Sequence, residues 1–177
     1  MANSQASSLD ELDQEEHNKI RVFKTLYEAL NSRDVDTVHR MLARDLEWWF
    51  HGPPTHQHLM HILTGSISLS KSKSFIFIPL SIVAFGSTVI VEGRHEDDKE
   101  GSWVHAWTVT GSIITQVREY FNTSVTVTRF GTPEGVALPG PPQSILSPRA
   151  VITANCQSVW ESKLCDNKSV PGLILAL

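Results

Sequence analysis

Four side chains on one short stretch carry most of the chemistry in this sequence: Trp103, His105, Trp107 and Glu119, all within GSWVHAWTVTGSIITQVREYFNTSVTV, residues 101 to 127. The stretch reads as two β-strands around a turn at Gly111-Ser112. Side chains two apart on a strand share a face. Trp103, His105 and Trp107 therefore form one row, and Thr115, Val117, Glu119 and Phe121 form the facing row on the next strand. A carboxylate walled by indole rings loses hydration, which favours its neutral form and suits it to acid–base work, while a neighbouring imidazolium pulls the other way. Two readings are open: Glu119 and His105 form a proton-transfer pair inside an aromatic cavity, or they satisfy each other in the core. Arg118 and Tyr120 have the opposite parity and fall on the outer sheet face, where such residues suit an interface between subunits.

Other chemistry finds less support. His51, His56, His58 and His61 sit within eleven residues, but only His58 and His61 have a helical i,i+3 relation and no Cys or acidic ligand accompanies them, so no metal site is expected. The chain has no glycine-rich phosphate loop, no Gly-x-Ser-x-Gly elbow and no HExxH. No cofactor is implied. Cys156 and Cys165 make no disulfide framework and suit a reducing compartment.

The 177 residues, 41% of them hydrophobic, suffice for one core and would cramp two. Net charge is −4, and five of the acids, Asp10, Glu11, Asp13, Glu15 and Glu16, lie in a basic-free first sixteen residues, so the remainder is near neutral. A nucleic-acid partner would show a basic stripe, and none is visible. The longest apolar runs, FIFIPLSIVAF and LILAL, fall short of the ~20 residues of a bilayer span. The acidic start also lacks a secretory layout. The expectation is an intracellular protein, cytoplasmic or also nuclear, that meets neither membrane nor nucleic acid.

Residues 1–16 read as a flexible acidic arm. Ile20, Phe23, Tyr27 and Leu30 recur at helical steps, Asp34 caps a second short helix, and DLEWWFHG reads as a strand stopped by Gly52-Pro53-Pro54. THQHLMHILTG gives a third helix. From residue 74 the period changes to two, with SFIFIPLSIVAF, TVIVEGRHE, SWVHAWTV and ITQVREYFNTSVTVTRF as four successive antiparallel strands and Pro79 marking an edge or a bulge. Residues 131–148 form a Pro- and Gly-rich connector, and 149–177 a tail that docks on the 17–130 domain, with SVPGLILAL adding an edge strand or covering the mouth. Helices first and a curled meander afterwards define an α+β cone with one open end.

This order, with WVHAWTV, ITQVREYFNTSVTVTR and the closing VWES…KSVPGLILAL, resembles the plant wound-induced and senescence-associated proteins of the SnoaL-like branch of the nuclear transport factor 2-like superfamily. The resemblance implies a cone-shaped α+β barrel, a homodimer through the outer sheet face, and a deep apolar cavity. It covers residues 17 to 130 at superfamily level and 145 to 177 through the tail. By likeness to the epoxide hydrolases of that superfamily, REYFN places an active carboxylate at Glu119 and a cavity residue at Phe121, and the WWFHG strand offers Trp49 and His51 inward, with Trp48 left to pack against the helices. Their catalytic arginine and aspartate have no clean counterpart here. Glu92 and Arg94 are the nearest, in reversed order, and read equally as cavity groups or as an exposed ion pair.

Two function classes emerge. One is a protein for a small apolar or ring-bearing ligand, either a binder or a cofactor-free isomerase, cyclase or lyase. It would use Glu119, His105 and His51 as polar groups, with Trp49, Trp103, Trp107, Val117 and Phe121 gripping the ligand. The other is a non-catalytic dimeric interaction module in a stress response.

Overall fold

The computed structural model describes residues 3–65, 75–96, 101–130, 156–165 and 169–177. Helix α1 (Asn3–Ser32) continues back through the acidic segment read as an arm. Its core face is Phe23, Leu26, Tyr27 and Leu30, the i, i+3, i+4, i+7 stripe of a helix packed on one side. Arg33, at φ 60°, ends it, with Asp34 N–H donating to the Ala29 carbonyl and Arg33 N–H to that of Leu30. Asp34 then accepts from Thr37 N–H and opens α2 (Val35–Met41).

Strand β1 (Leu42–His51) follows at once, then a 3-10 turn at Pro54–His56 and α3 (His58–Leu63). Strands β2 (Phe77–Phe85), β3 (Thr88–His95), β4 (Ser102–Thr110) and β5 (Ile113–Phe121) form the expected antiparallel meander. β1 joins it in parallel beside β5, giving the order β1-β5-β4-β3-β2. Pro79 sits on the edge strand at a register shift, which is where a residue without an N–H does least harm. Curled round α1, this sheet makes the predicted α+β cone, with its inner core on both strand and helix residues.

The last predicted strand divides in two. Asn122 takes φ 49°, its Oδ1 accepts from Ser102 N–H, and its own N–H donates to the Ser102 carbonyl. Past this pinned kink, β6 (Ser124–Phe130) leaves the first sheet and becomes the centre of a second one, flanked by β7 (Cys156–Glu161, antiparallel) and β8 (Gly172–Ala176, parallel). The tail thus does add an edge strand, to a sheet of its own. Residues 131–148, read as a connector, and 149–155 and 166–168 of the tail lie outside the described residues.

The second sheet packs on the outer face of the first. Ile90, Val104, Ala106 and Tyr120 form a second core with Val125, Val127 and Leu175. The face expected to meet another subunit is occupied, at these positions, by the chain's own extension. Tyr120 is accordingly buried, which raises its pKa, with Arg118 opposing the shift.

Candidate functional site

Inside the cone the parity argument holds for the hairpin. Trp103 pairs with Phe121, His105 with Glu119 and Trp107 with Val117, and all six side chains are buried. The register slips between Thr108 and Val109, so Ile114 takes the inward place that parity gave to Thr115. Into the space between the rows, which the sequence reading left to a ligand, α1 inserts Tyr27. Its ring stacks on Trp103 (5.4 Å, 21°) and His105 (5.9 Å, 9°), with Trp107 against its edge.

The polar atoms of this cluster form a chain. Trp107 Nε1–H donates to Tyr27 Oη (3.1 Å), Tyr27 Oη lies 2.7 Å from His105 Nδ1, and His105 Nε2 lies 3.3 Å from Glu119 Oε1. Trp48 Nε1–H donates to Glu119 Oε2 (3.1 Å). Counting donors orders the protons. The indole can only donate, so the tyrosine hydrogen is free to donate onward to Nδ1. With a neutral imidazole, its one hydrogen then sits on Nε2 and points at Glu119, whose two oxygens receive one N–H each. Burial drives the Tyr27 pKa well above its ordinary value, against the Trp107 hydrogen bond and with help from the Glu119 charge, which keeps the hydroxyl protonated as this order requires.

Trp48, not Trp49, reaches the acid. In the parallel ladder Trp48 lies beside Val117 and Phe50 beside Glu119, so these two share the inner face, while Trp49 and His51 fall beside Arg118 and Tyr120 on the outer one. Trp49 is 56% exposed, and His51 is exposed and stacked on Tyr120 (5.0 Å, 9°). The inward placement of Trp49 and His51 is corrected by one residue. The signal was present in Leu46, Trp48 and Phe50, a more apolar alternate row than Glu47, Trp49 and His51.

Glu92 fits neither reading offered for it. Glu92 is buried under the second sheet's segment, accepting from Ser162 Oγ (2.5 Å), Lys163 N–H (2.9 Å) and Leu164 N–H (3.0 Å), while Arg94 is exposed. Glu92 is an anchor for the tail. Nearby, Ser102 Oγ lies 3.0 Å from the buried Cys165 Sγ.

A cavity of about 840 Å³ opens where the two sheets part, lined by His51, Gly52, Pro53, Phe121 and Asn122 on one side and by Ser169–Pro171 and Leu173 of the tail on the other. Phe121 connects it to the interior. Gly52 is needed here, because a side chain at that position would press on the Phe121 Cβ and on the Phe50 ring. Beneath α3, His56 packs on Phe121 (4.5 Å) and His58 stacks on Phe75 (4.0 Å, 10°), whose ring also stacks on His95 (4.3 Å). Burial first, then the charge of His56, lowers the His58 pKa to about 4, with His95 and His61 adding and Glu119 opposing. Among the described residues no group of three or more His, Cys, Asp or Glu is arranged to hold a metal ion, and no helix is long and apolar enough to cross a membrane.

Similarity to known proteins follows the same architecture. Residues 60–177 match the model of the wound-induced protein WI12 family. The chain is 50% identical over 120 residues to senescence associated gene 20 of Arabidopsis thaliana and, over the same length, to wound-induced protein 1 of Solanum tuberosum, in each case covering 67% of this chain and 100% of the relative. Among solved structures, Bal32a from a soil-derived mobile gene cassette shares the fold, with 16% identity over 60% of this chain and 91% of that one and a TM-score of 0.50. The matched stretch holds His105, Glu119 and the Glu92 anchor together with Ser162 and Lys163, whereas Tyr27 and Trp48 precede it. By these sequence matches the chain belongs to the wound-induced protein WI12 family.

Proposed function

We propose that the protein serves a wounding or senescence response by binding a small, largely apolar, ring-bearing molecule in the cavity between the two sheets. One observation carries this reading: a cavity of about 840 Å³, of a size that holds a small organic ligand, is walled jointly by Phe121 of the cone and by the tail. The names of the two relatives support the physiological setting. Binding is favoured over turnover, because His105 and Glu119 are fully buried, bonded to each other and shielded by Tyr27. In this proposal they brace the cone and do not process the ligand.

A panel of lipophilic, phenolic and terpenoid plant metabolites tests it, read by tryptophan fluorescence and thermal shift. At least one class is expected to bind, to be recovered chemically unchanged, and to lose affinity in Val170→Trp, which pushes an indole into the cavity, and in Leu173→Glu, which charges its wall. Silence across the panel, or binding indifferent to both substitutions, rejects the proposal. Conversion of a bound compound restores the catalytic reading.

A further inference from the structure

Asn122, where the first sheet ends, has its side-chain amide held in one orientation. A backbone N–H can be met only by the amide oxygen, so the Ser102 N–H, 3.1 Å from Oδ1, fixes which end of the amide is which. The backbone beneath it is held as well, by Asn122 N–H on the Ser102 carbonyl (2.8 Å). The other end of the amide, Nδ2, donates to no acceptor among the described residues.

That nitrogen meets a gap left by a glycine. Gly101 takes φ 102°, and a Cβ there would collide with Oδ1 and stand 2.8 Å from Nδ2. Gly101 and Asn122 both line the cavity between the sheets. Unpartnered but not buried, Nδ2 is open to what the cavity holds.

The rest of the lining indicates what this donor receives. None of the described lining residues is acidic. The Thr123 hydroxyl is already spent on the Phe121 carbonyl (3.0 Å). His51, with one face on Tyr120, keeps its nitrogens at the ring edge and donates from at least one of them in either protonation state. Phe121, Pro171 and Leu173 add apolar surface. A mostly apolar wall with a few placed donors orients a ligand by its acceptor. A donor that is already immobilised loses little further freedom when it binds.

Resting on the cavity as the ligand site, we propose that the ligand is a ring compound bearing a carbonyl or carboxylate oxygen, which accepts from Asn122 Nδ2 while the ring packs on Phe121 and Leu173. Asn122 then sets specificity, and Gly101 is the residue that leaves its amide accessible.

Probes of nearly equal shape test this by isothermal titration: 2-acetylnaphthalene has the oxygen, and 2-isopropenylnaphthalene has a methylene in its place. For the intact chain the ketone is expected to bind about three- to tenfold tighter, as one net hydrogen bond implies. Asn122→Asp keeps the oxygen that Ser102 needs and removes the donor, so the preference should vanish while the Ser102 amide stays protected from exchange. A readout that needs no variant is the Asn122 side-chain amide resonance, expected to move with the ketone and to stay in place with the hydrocarbon. A third probe, 2-naphthoate, separates the two sources of the oxygen: tighter binding than the ketone assigns the site to carboxylates, weaker binding to neutral carbonyl compounds. Equal affinity for ketone and hydrocarbon, a preference that survives Asn122→Asp, or an unmoved resonance at saturating ketone overturns acceptor recognition and leaves the cavity standing. If none of the three probes binds, the cavity reading falls with it.

Discussion

Tyr27 Oη lies 2.7 Å from His105 Nδ1 across 78 residues of sequence, tying the long helix to the centre of the sheet. The same oxygen accepts from Trp107, so Tyr27→Phe leaves two buried nitrogens without a partner. At roughly 1–3 kcal/mol for each buried orphan, the substitution should cost on the order of 2–4 kcal/mol of unfolding free energy in urea titrations, although it changes almost no volume. A loss below about 1 kcal/mol would mean that water reaches the pair, and the bracing role assigned to this chain of bonds would fail.

Glu119 offers a sharper measurement because its two oxygens have different partners, Trp48 and His105. A double-mutant cycle on Trp48→Phe and Glu119→Leu, each of which removes one partner of the bond, isolates the indole–carboxylate interaction. Hydrogen bonds to a charged group contribute roughly 1.5–3 kcal/mol, and a coupling energy in that range is expected. Near-zero coupling would show that Trp48 merely packs beside the acid.

The difference between Trp48 and Trp49 shows where the sequence becomes illegible. The Trp103, His105, Trp107 row could be read because its strand sits in a hairpin, where alternation and turn geometry fix the face together. β1 is a lone parallel strand with large side chains on both faces, and only its register against β5 decides which indole turns inward. Tyr27 was placed on the buried face of its helix by periodicity, but no local pattern says that its hydroxyl meets an imidazole on β4. Across Asn122 the apolar alternation runs on unbroken while the chain changes sheets, since the turn is made by one residue in the left-handed region and not by a glycine. The burial of Glu92 was hidden for a similar reason: its donors are mostly backbone N–H groups some 70 residues later, which leave no trace in side-chain chemistry.

That anchor makes the second sheet separately testable. Glu92→Ala removes the acceptor of Ser162 Oγ and of two backbone N–H groups at the end of β7. Local opening free energies differ between parts of a fold. Amide exchange in Cys156–Glu161 and Gly172–Ala176 should therefore accelerate about tenfold or more, while α1 and β4 keep their protection. Uniform acceleration would show that the second sheet and the cone open as one unit. Unchanged exchange would show that the Val125, Val127 and Leu175 contacts hold the tail without the carboxylate.

His58 should make the fold acid-sensitive in a defined window. Its pKa in the folded chain is lowered from 6.5 to about 4, chiefly by burial. Between those values the unfolded chain binds the proton and the folded chain does not, so stability falls as pH drops. The contribution is complete above pH 6.5, declines from 6.5 to 4 and is constant below. The ring is only partly shielded from solvent, so the full linkage energy is discounted to about 1–2 kcal/mol. His56, His61, His95 and Glu119 face the same ring, and the relevant quantity is therefore the difference between the intact chain and His58→Leu, measured in urea at pH 7 and pH 4.5. That difference should shift by about 1–2 kcal/mol against the intact chain at the lower pH, and the His58 ring should titrate near 4 by NMR. Titration near 6.5 would mean that solvent reaches the imidazole from the mouth, in which case its Nε2 is already satisfied by water and α3 does not seal this end of the cone.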